Sequence, residues 1–148
     1  SILDGMIKRT KAAEHLGAKW APLTCVYIDD LGVGSGAAAG YRHNLGIDKL
    51  FTTSRHSGGV IVCLQQAFKM LSRTARLQLS HLALFPVLSD EWASIIETLA
   101  GRNGISKEKL EQAYRIATAR AFGFLWMDLT AAPQDVFWSS FTKKIVPA

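Results

Sequence analysis

Two carboxylates at the end of an apolar run are the residues of this sequence best suited to chemistry. Asp29 and Asp30 follow residues 25–28 (CVYI), a β-branched and aromatic run that predicts a buried strand. In phosphoryl transfer, one acid of such a pair binds magnesium and the next polarises the attacking water. Two solvated acids at a strand end fit the same pattern. The pair therefore has two interpretations, which the rest of the sequence has to separate.

A second set of polar residues follows the next apolar run. Residues 60–65 (VIVCLQ) are typical of a central parallel strand, which ends in Gln65 and Gln66. An amide there could reach the terminal phosphate of a nucleotide or its water, so Gln65 is a candidate nucleotide-binding residue. Arg76 follows ten residues after Gln66 and could neutralise charge developing on a phosphoryl group in a neighbouring site. Taken alone, Arg76 is more simply a surface helix residue.

The positive charge of the chain is concentrated in its middle. The formal net charge is +5, and residues 31–85 contain six basic side chains against Asp48 alone. This density suits the phosphates of a nucleic acid or a polyphosphate, and it equally suits a solvated positive face. Besides Arg76, the basic residues of this block are the candidate DNA-binding residues: Arg42, Lys49, Arg55, Lys69 and Arg73.

Length and composition favour one packed domain over residues 1–148. Hydrophobic residues make up 49% and charged residues 20% of the chain, which excludes global disorder. No apolar run reaches the roughly 18 residues of a membrane-spanning helix, and nothing resembles a signal peptide, so we expect a soluble intracellular protein. Cys25 and Cys63 lie in apolar stretches without CxxC spacing, so we expect buried, reduced thiols and no metal site.

Helical and strand patterns alternate along the chain. Helices are predicted over 2–16 and 67–79, after Ser89 and after Ser106, with an irregular helix over 41–51. Residues 31–40 predict a mobile glycine-rich loop, and residues from Pro133 onward a turn and a short aromatic segment. The tryptophans, with Phe137 and Phe141, are expected in the core. Strands are predicted at 25–28, 60–65, 81–85 and 122–129. Strands with helical connections predict an α/β sandwich.

Several motifs, taken in order, resemble a known family. The series CVYIDDL, LFTTSRH, VIVCLQQAF and SRTARLQLSHLALF is similar to the carboxyl-terminal half of the genome-packaging ATPases of large DNA viruses. These ATPases form the poxvirus-like branch of the FtsK and HerA superfamily of P-loop NTPases. EKLEQAYRIATARAFGFLWMDL resembles the last helix and strand of that family, so the resemblance covers nearly all of residues 20–145. It implies a three-layer sandwich, a partial RecA-like P-loop core without its Walker A half.

The resemblance also implies roles for individual residues. Asp29 matches the acid that coordinates magnesium, and Asp30 matches the catalytic carboxylate of the Walker B strand. Gln66 matches the sensor glutamine, and Arg55 matches the arginine of the family's Arg-His turn. Arg76 matches the arginine after the sensor strand, a candidate finger. ATP and Mg²⁺ are the cofactors that these matches imply.

The phosphate-binding loop of that family is absent from these residues. No GxxxxGK[ST] motif occurs, and GVGSGAAAG at 32–40 lacks the Lys and the following Ser or Thr. The phosphate cradle would have to come from an N-terminal Walker A segment upstream, from another chain, or from nowhere. A Ser start that leads straight into an apolar helix suggests a fragment. We expect this chain alone to bind nucleotide poorly.

Three functional hypotheses remain open at this point. The leading one is ATP-driven translocation of double-stranded DNA into a viral capsid by a homo-oligomeric ring. Its partners would be DNA and a capsid protein, in the host cytoplasm or the virion, with no membrane. The second is a degenerate or split ATPase half that binds DNA or protein and hydrolyses nothing. The third is a related cellular DNA translocase.

Overall fold

Strands and helices alternate through the residues that the computed structural model describes, which are 2–17, 24–29 and 45–147. The prediction of an α/β fold is confirmed in part, since the chain combines helices with a two-stranded parallel sheet and a four-stranded antiparallel sheet. These sheets belong to two compact units, Ser1–Gln78 and Leu79–Ala148. Within the described ranges, no helix is both long enough and apolar enough to cross a membrane.

The first unit contains a parallel strand pair with helices before, between and after the two strands. Its elements are α1 (Ile2–His15), β1 (Thr24–Asp29), α2 (Leu45–Thr53), a 3-10 helix (Ser54–Ser57), β2 (Gly59–Leu64), a second 3-10 helix (Phe68–Met70) and α3 (Arg73–Leu77). Helix α1 confirms the predicted amphipathic helix. Beyond it, Gly17 adopts a φ of 64°, a left-handed conformation that suits glycine after a helix end.

One face of the parallel pair forms the core of this unit. Met6 of α1 and Leu50 of α2 are buried, and partly buried apolar side chains of both strands pack against them. Those side chains are Val26 and Ile28 of β1 and Ile61 of β2. They share a face because successive strand residues point to opposite sides of a sheet. The pair is therefore held by helices that contact this face.

The other face of the parallel pair is exposed, which differs from the prediction of two fully buried strands. Tyr27 is 60% exposed, and Val60, Val62 and Leu64 are 43%, 40% and 48% exposed. Cys25 lies on the same face and is exposed, so the expectation of a buried thiol was wrong for this residue. Sequence alone cannot separate a strand covered on both faces from one covered on a single face when all its residues are apolar.

The predicted helix over 67–79 is interrupted. Phe68–Met70 forms a 3-10 turn, Leu71 and Ser72 are extended, and α3 begins at Arg73. Ser72 caps α3, because its hydroxyl accepts a hydrogen bond from Ala75 N at 3.0 Å. A serine capping position thus ends one turn and starts the next helix.

The second unit is an antiparallel sheet with two helices. Its elements are β3 (His81–Leu84), α4 (Ser89–Leu99), a 3-10 turn (Arg102–Gly104), α5 (Lys107–Ala117), β4 (Leu125–Asp128), a 3-10 turn (Pro133–Asp135), β5 (Phe137–Ser139) and β6 (Lys143–Lys144). The strand order is β3-β4-β5-β6, with every neighbouring pair antiparallel. The fully buried side chains that fill its core are Ile95, Leu99, Leu110, Leu125, Met127 and Val136.

The predictions for this unit are right in part. The strands expected at 81–85 and 122–129 form as β3 and β4, whereas β5 and β6 were not predicted. Ser106 caps α5 by accepting from Lys109 N at 3.2 Å, as its position suggested. Ser89 is not a cap, because the cap position of α4 is Leu88 and makes no side-chain bond. Asp90 and Glu91 do lie in the first turn, where acids favour the helix dipole.

Candidate functional site

The parallel register brings Asp29 and Gln65 to the same edge of the first sheet. Strands β1 and β2 pair from Thr24 opposite Gly59 to Asp29 opposite Leu64, so Gln65 directly follows the residue that pairs with Asp29. Asp29 shares the exposed face with Leu64, whereas Gln65 contacts Cys63 of the other face. Asp29 is exposed at this edge. Carboxyl ends of neighbouring parallel strands are the places where open α/β sheets bind ligands. Asp30 lies outside the described residues.

The side-chain oxygen of Gln65 accepts no hydrogen bond from the described residues. The Nε2 of Gln65 donates to the Leu64 carbonyl at 2.6 Å and lies 3.4 Å from Cys63 Sγ. Its Oε1 is buried, and no described residue donates a hydrogen bond to it. Buried amide oxygens usually accept a hydrogen bond, so Gln65 Oε1 is a candidate acceptor at this strand end. Gln66, the predicted sensor, is exposed in the bend that follows.

Cys63 is the titratable neighbour of Gln65. Burial raises the pKa of the Cys63 thiol, and the hydrogen bond from Gln65 opposes this rise to a smaller degree. The thiol is therefore protonated at neutral pH, and Cys63 is a free cysteine that is partly buried, so the expectation of a buried thiol holds only in part. The Cys63 sulfur accepts a hydrogen bond from Gln65 at the end of β2.

The donor atoms at this edge suit magnesium only together with a ligand that brings its own oxygens. Among the described residues, no group of three or more His, Cys, Asp or Glu side chains could hold a metal ion. Magnesium is nevertheless often bound by one or two carboxylates plus phosphate oxygens and waters. Asp29 could provide one such carboxylate. The described residues thus offer one carboxylate at this strand end and do not form a metal site from protein ligands alone.

Arg76 packs against an aromatic ring of its own unit. It is half-buried on α3, and its guanidinium carbon lies 5.4 Å from the centre of the Phe68 ring. A cation over a ring at this distance is attracted by the negative face of the π-system. An arginine that acts on the phosphate of a neighbouring subunit would have to leave this ring.

The predicted DNA-binding residues lie on several elements of the first unit. Lys49 is exposed on α2, Arg73 is exposed at the start of α3, and Lys69 is half-buried in the 3-10 turn before it. Arg42 and the side chain of Arg55 lie outside the described residues. Three of the five candidates are thus placed, on neighbouring stretches of the fold.

Asp48 and Ser72 connect those stretches, and sequence reasoning missed both. The Ser72 hydroxyl donates to Asp48 Oδ1, so the residue before Arg73 is bonded to the residue before Lys49. Two signals were present in the sequence: Asp48 is the lone acid of a basic block, and Ser72 precedes a helical pattern as a capping residue would. Neither pattern predicts that Asp48 and Ser72 bond to each other.

Comparison with protein-family models, with curated proteins and with solved structures finds no match for this chain. A function is therefore inferred from the residues of the chain and from their arrangement.

Proposed function

We propose that this chain is the carboxyl-terminal part of a P-loop ATPase that moves double-stranded DNA into a viral capsid. The observation that supports this most directly is the parallel register that places Asp29 and Gln65 at one sheet edge. An acid and an amide at neighbouring strand ends are the groups that a P-loop enzyme uses to bind and sense a nucleotide. The order of sequence motifs that resemble the packaging ATPases adds to this support.

In this proposal, the parallel sheet of the first unit contains more strands than β1 and β2. The exposed apolar face with Tyr27, Val60 and Leu64 suits a parallel sheet that is covered on both sides in the complete enzyme, as parallel sheets usually are. A polypeptide that carries GxxxxGK[ST] would supply the phosphate cradle and complete a three-layer sandwich. The working form would be a homo-oligomeric ring, in the host cytoplasm or in the virion with the capsid protein.

Each residue of the site has a separate task in this proposal. Asp29 would hold Mg²⁺, which when bound neutralises negative charge on the transferring phosphoryl group. Asp30 would orient and polarise the attacking water, and Gln66 would contact the terminal phosphate or that water. Gln65 Oε1 would accept a hydrogen bond from a water at the nucleotide. Arg76 would leave Phe68 and neutralise charge in a neighbouring subunit.

The basic residues would contact DNA through phosphates alone. Backbone contacts carry no sequence information, which suits a motor that has to move a whole genome. Lys49 and Arg73 are exposed, and they lie next to the two residues that join α2 to α3. Arg42, Arg55 and Lys69 complete the set. DNA binding should weaken steeply as the salt concentration rises.

The decisive experiment measures Mg²⁺-dependent ATP binding and hydrolysis, with and without double-stranded DNA. The chain would be assayed alone and together with a polypeptide carrying GxxxxGK[ST]. Hydrolysis in the combined form should disappear in Asp30→Asn while ATP binding remains. Glu14→Gln, which neutralises an exposed acid of α1, is the matched control and should keep full turnover. Retained turnover in Asp30→Asn would contradict the proposal.

A second candidate is a non-catalytic module that binds DNA or protein. The absence of GxxxxGK[ST] from the sequence favours it. In that case adding the phosphate-loop polypeptide would restore neither ATP binding nor turnover, whereas salt-dependent DNA binding would persist. A related cellular DNA translocase would give the same ATPase results as the viral motor, and only its failure to associate with a capsid protein would distinguish it.

A further inference from the structure

The outer face of the antiparallel sheet presents a row of aromatic side chains. Along β4, Leu125 and Met127 are fully buried, whereas Trp126 points to the opposite side and is only partly buried. The register places Trp126 between Ala83 of β3 and Trp138 of β5. The side chains of this row therefore lie on the face of the sheet away from the core of the unit.

Five of these rings contact one another in sequence. The His81 ring stacks on Trp126 with centroids 5.3 Å apart, and Phe141 meets Trp126 edge-on at 5.0 Å. Phe141 also meets Phe124 edge-on at 5.0 Å, and Phe124 meets Phe85 at 5.0 Å. Phe85 and Phe141 are 54% and 65% exposed. We call this set the aromatic face: His81, Phe85, Phe124, Trp126 and Phe141.

Basic side chains accompany the aromatic face. Arg120 donates to Ser140 Oγ at 2.9 Å, next to Phe141 in the chain, and this bond uses one of its five N–H donors. Lys143 follows Phe141 by two residues and is exposed, and Lys144 pairs with Trp138 across the β5–β6 hairpin. The cations of the last part of the chain thus lie around the β5–β6 turn, where the exposed Phe141 also lies.

The acids of this part of the unit are already engaged by neighbours. Asp128 accepts hydrogen bonds from Thr130 N and Oγ1, and Asp135 pairs with Lys144. By contrast, α4 carries three acids and no basic residue: Asp90, Glu91 and Glu97. Asp128 stays ionised beside His81, and Asp135 offsets Lys144. Arg120 and Lys143 therefore leave a small excess of positive charge near the aromatic face, whereas α4 of the same unit carries only acids.

We propose that the aromatic face binds single-stranded nucleic acid, with bases stacked on the exposed rings and phosphates contacted by Arg120 and Lys143. Exposed aromatic rings beside cations are what unpaired nucleotides require, because every base has a π-face and every nucleotide a phosphate. A duplex does not fit this surface, since its base faces are already covered by the neighbouring base pairs. The proposal concerns other residues than the ATPase proposal and does not depend on it.

The test uses the 148-residue chain without ATP or Mg²⁺, so its outcome is separate from that of the ATPase assay. Binding of a short labelled oligothymidylate is measured by fluorescence anisotropy and compared with an abasic strand of equal length and with a duplex. We expect Phe141→Leu to weaken oligothymidylate binding by about tenfold or more, because it removes a stacking ring and keeps apolar bulk. Phe122→Leu is the matched control, since Phe122 is 96% exposed and lies outside the ring contacts of the described residues.

The abasic strand and the salt dependence separate base stacking from general charge attraction. Abasic strands should bind at least about tenfold more weakly than oligothymidylate, since they keep the phosphates and lack the bases. Lys143→Gln and Arg120→Gln should each lower the slope of log affinity against log salt by about 0.7. The indole N–H resonance of Trp126 should shift on binding, which shows that the folded sheet is the binding surface.

Three outcomes would overturn the proposal. The first is equal affinity for abasic and base-containing strands, and the second is equal affinity for wild type and Phe141→Leu. The third is an absence of binding together with self-association that Phe141→Leu abolishes in sedimentation. This last result would make the aromatic face a protein-contact surface.

Discussion

Ser72 Oγ donates a hydrogen bond to Asp48 Oδ1, which joins the start of α3 to α2 across 24 residues of sequence. The same hydroxyl accepts from Ala75 N at 3.0 Å and is largely buried, with Ser72 only 9% exposed. One side chain thus caps a helix and holds a second helix to it. The two helices carry Lys49 and Arg73, so this bond fixes the spacing of two candidate DNA-binding residues.

Ser72→Ala should lower the free energy of unfolding by about 1–3 kcal/mol, because it removes a cap and a bond to a carboxylate together. Ser106→Ala is the matched control, since Ser106 caps α5 through Lys109 N and its only acid contact among the described residues is with Glu108, whose carboxylate is fully exposed to solvent. Its loss should be smaller, about 1 kcal/mol. Urea unfolding of both variants measures the difference. Equal losses would show that the bond to Asp48 contributes nothing.

Gly59 is closely approached by the end of Met6. A Cβ at Gly59 would lie 1.9 Å from Met6 Cε and 3.2 Å from the Ser54 carbonyl oxygen. Gly59→Ala should therefore destabilise the chain by about 1 kcal/mol, because the flexible end of Met6 has to move within a buried site. In a Met6→Ala background the substitution should be less destabilising, because the added methyl then enters the space that the methionine leaves.

A double-mutant cycle in urea measures this coupling between Gly59 and Met6. Gly5→Ala serves as the control, because a Cβ there meets nothing within 4 Å and alanine favours the interior of α1. It should stabilise the chain slightly. Strictly additive effects of Gly59→Ala and Met6→Ala would contradict the contact.

Thr130 keeps Asp128 ionised at low pH. Thr130 Oγ1 and N donate to Asp128 Oδ1 at 2.6 and 2.9 Å, which lowers the pKa of Asp128, and His81 adds a smaller contribution. Since the folded pKa lies below the unfolded value of about 3.9, the stabilisation is complete above that pH and disappears as the pH falls through the folded pKa. Thr130→Val should raise the pKa of Asp128 and weaken this acid dependence.

An NMR titration of the Asp128 carboxyl measures this shift directly. Thr118→Val is the control, because the Thr118 hydroxyl donates to the Tyr114 carbonyl and to no acid among the described residues. It should leave the pKa of Asp128 unchanged. An unchanged pKa in Thr130→Val would mean that the backbone N–H alone holds the carboxylate.

The contact between the Arg76 guanidinium and the Phe68 ring should contribute to the free energy of unfolding. The guanidinium carbon lies 5.4 Å from the ring centre, so Arg76→Gln and Phe68→Leu should show a coupling energy of about 0.5–2 kcal/mol. Arg73→Gln with Phe68→Leu is the control cycle, since Arg73 is exposed on the same helix. The Arg73 cycle should be additive. Equal coupling in both cycles would indicate a general charge effect.

Local patterns predicted most of the elements. The apolar spacing of 2–16 gives α1, and the apolar runs near 25–28, 60–65 and 81–85 give β1, β2 and β3. Each of these elements can be predicted from the spacing of apolar residues within the element itself. The predicted helix over 67–79 is interrupted at Leu71 and Ser72, where Ser72 bonds to Asp48, a residue that no local pattern connects to it.

Strand pairing was less predictable than strand position. The apolar pattern of 122–129 suits a strand in either sheet type, and β4 pairs antiparallel with β3. Strands β5 and β6 are too short for a periodic signal and form because the hairpin pairs with β4. Short strands gain stability only from such partners.

The sequence by itself determined which residue types stand at the ends of the apolar runs, including Asp29 after β1 and Gln65 after β2. The tertiary structure decided that these two lie at one sheet edge, since parallel pairing joins residues that are distant in sequence. It also decided that Trp126 and Phe141 face outward, against the expectation of a core position. The sequence shows how many apolar side chains the chain has. Which of them are buried depends on the face of each sheet against which the helices pack.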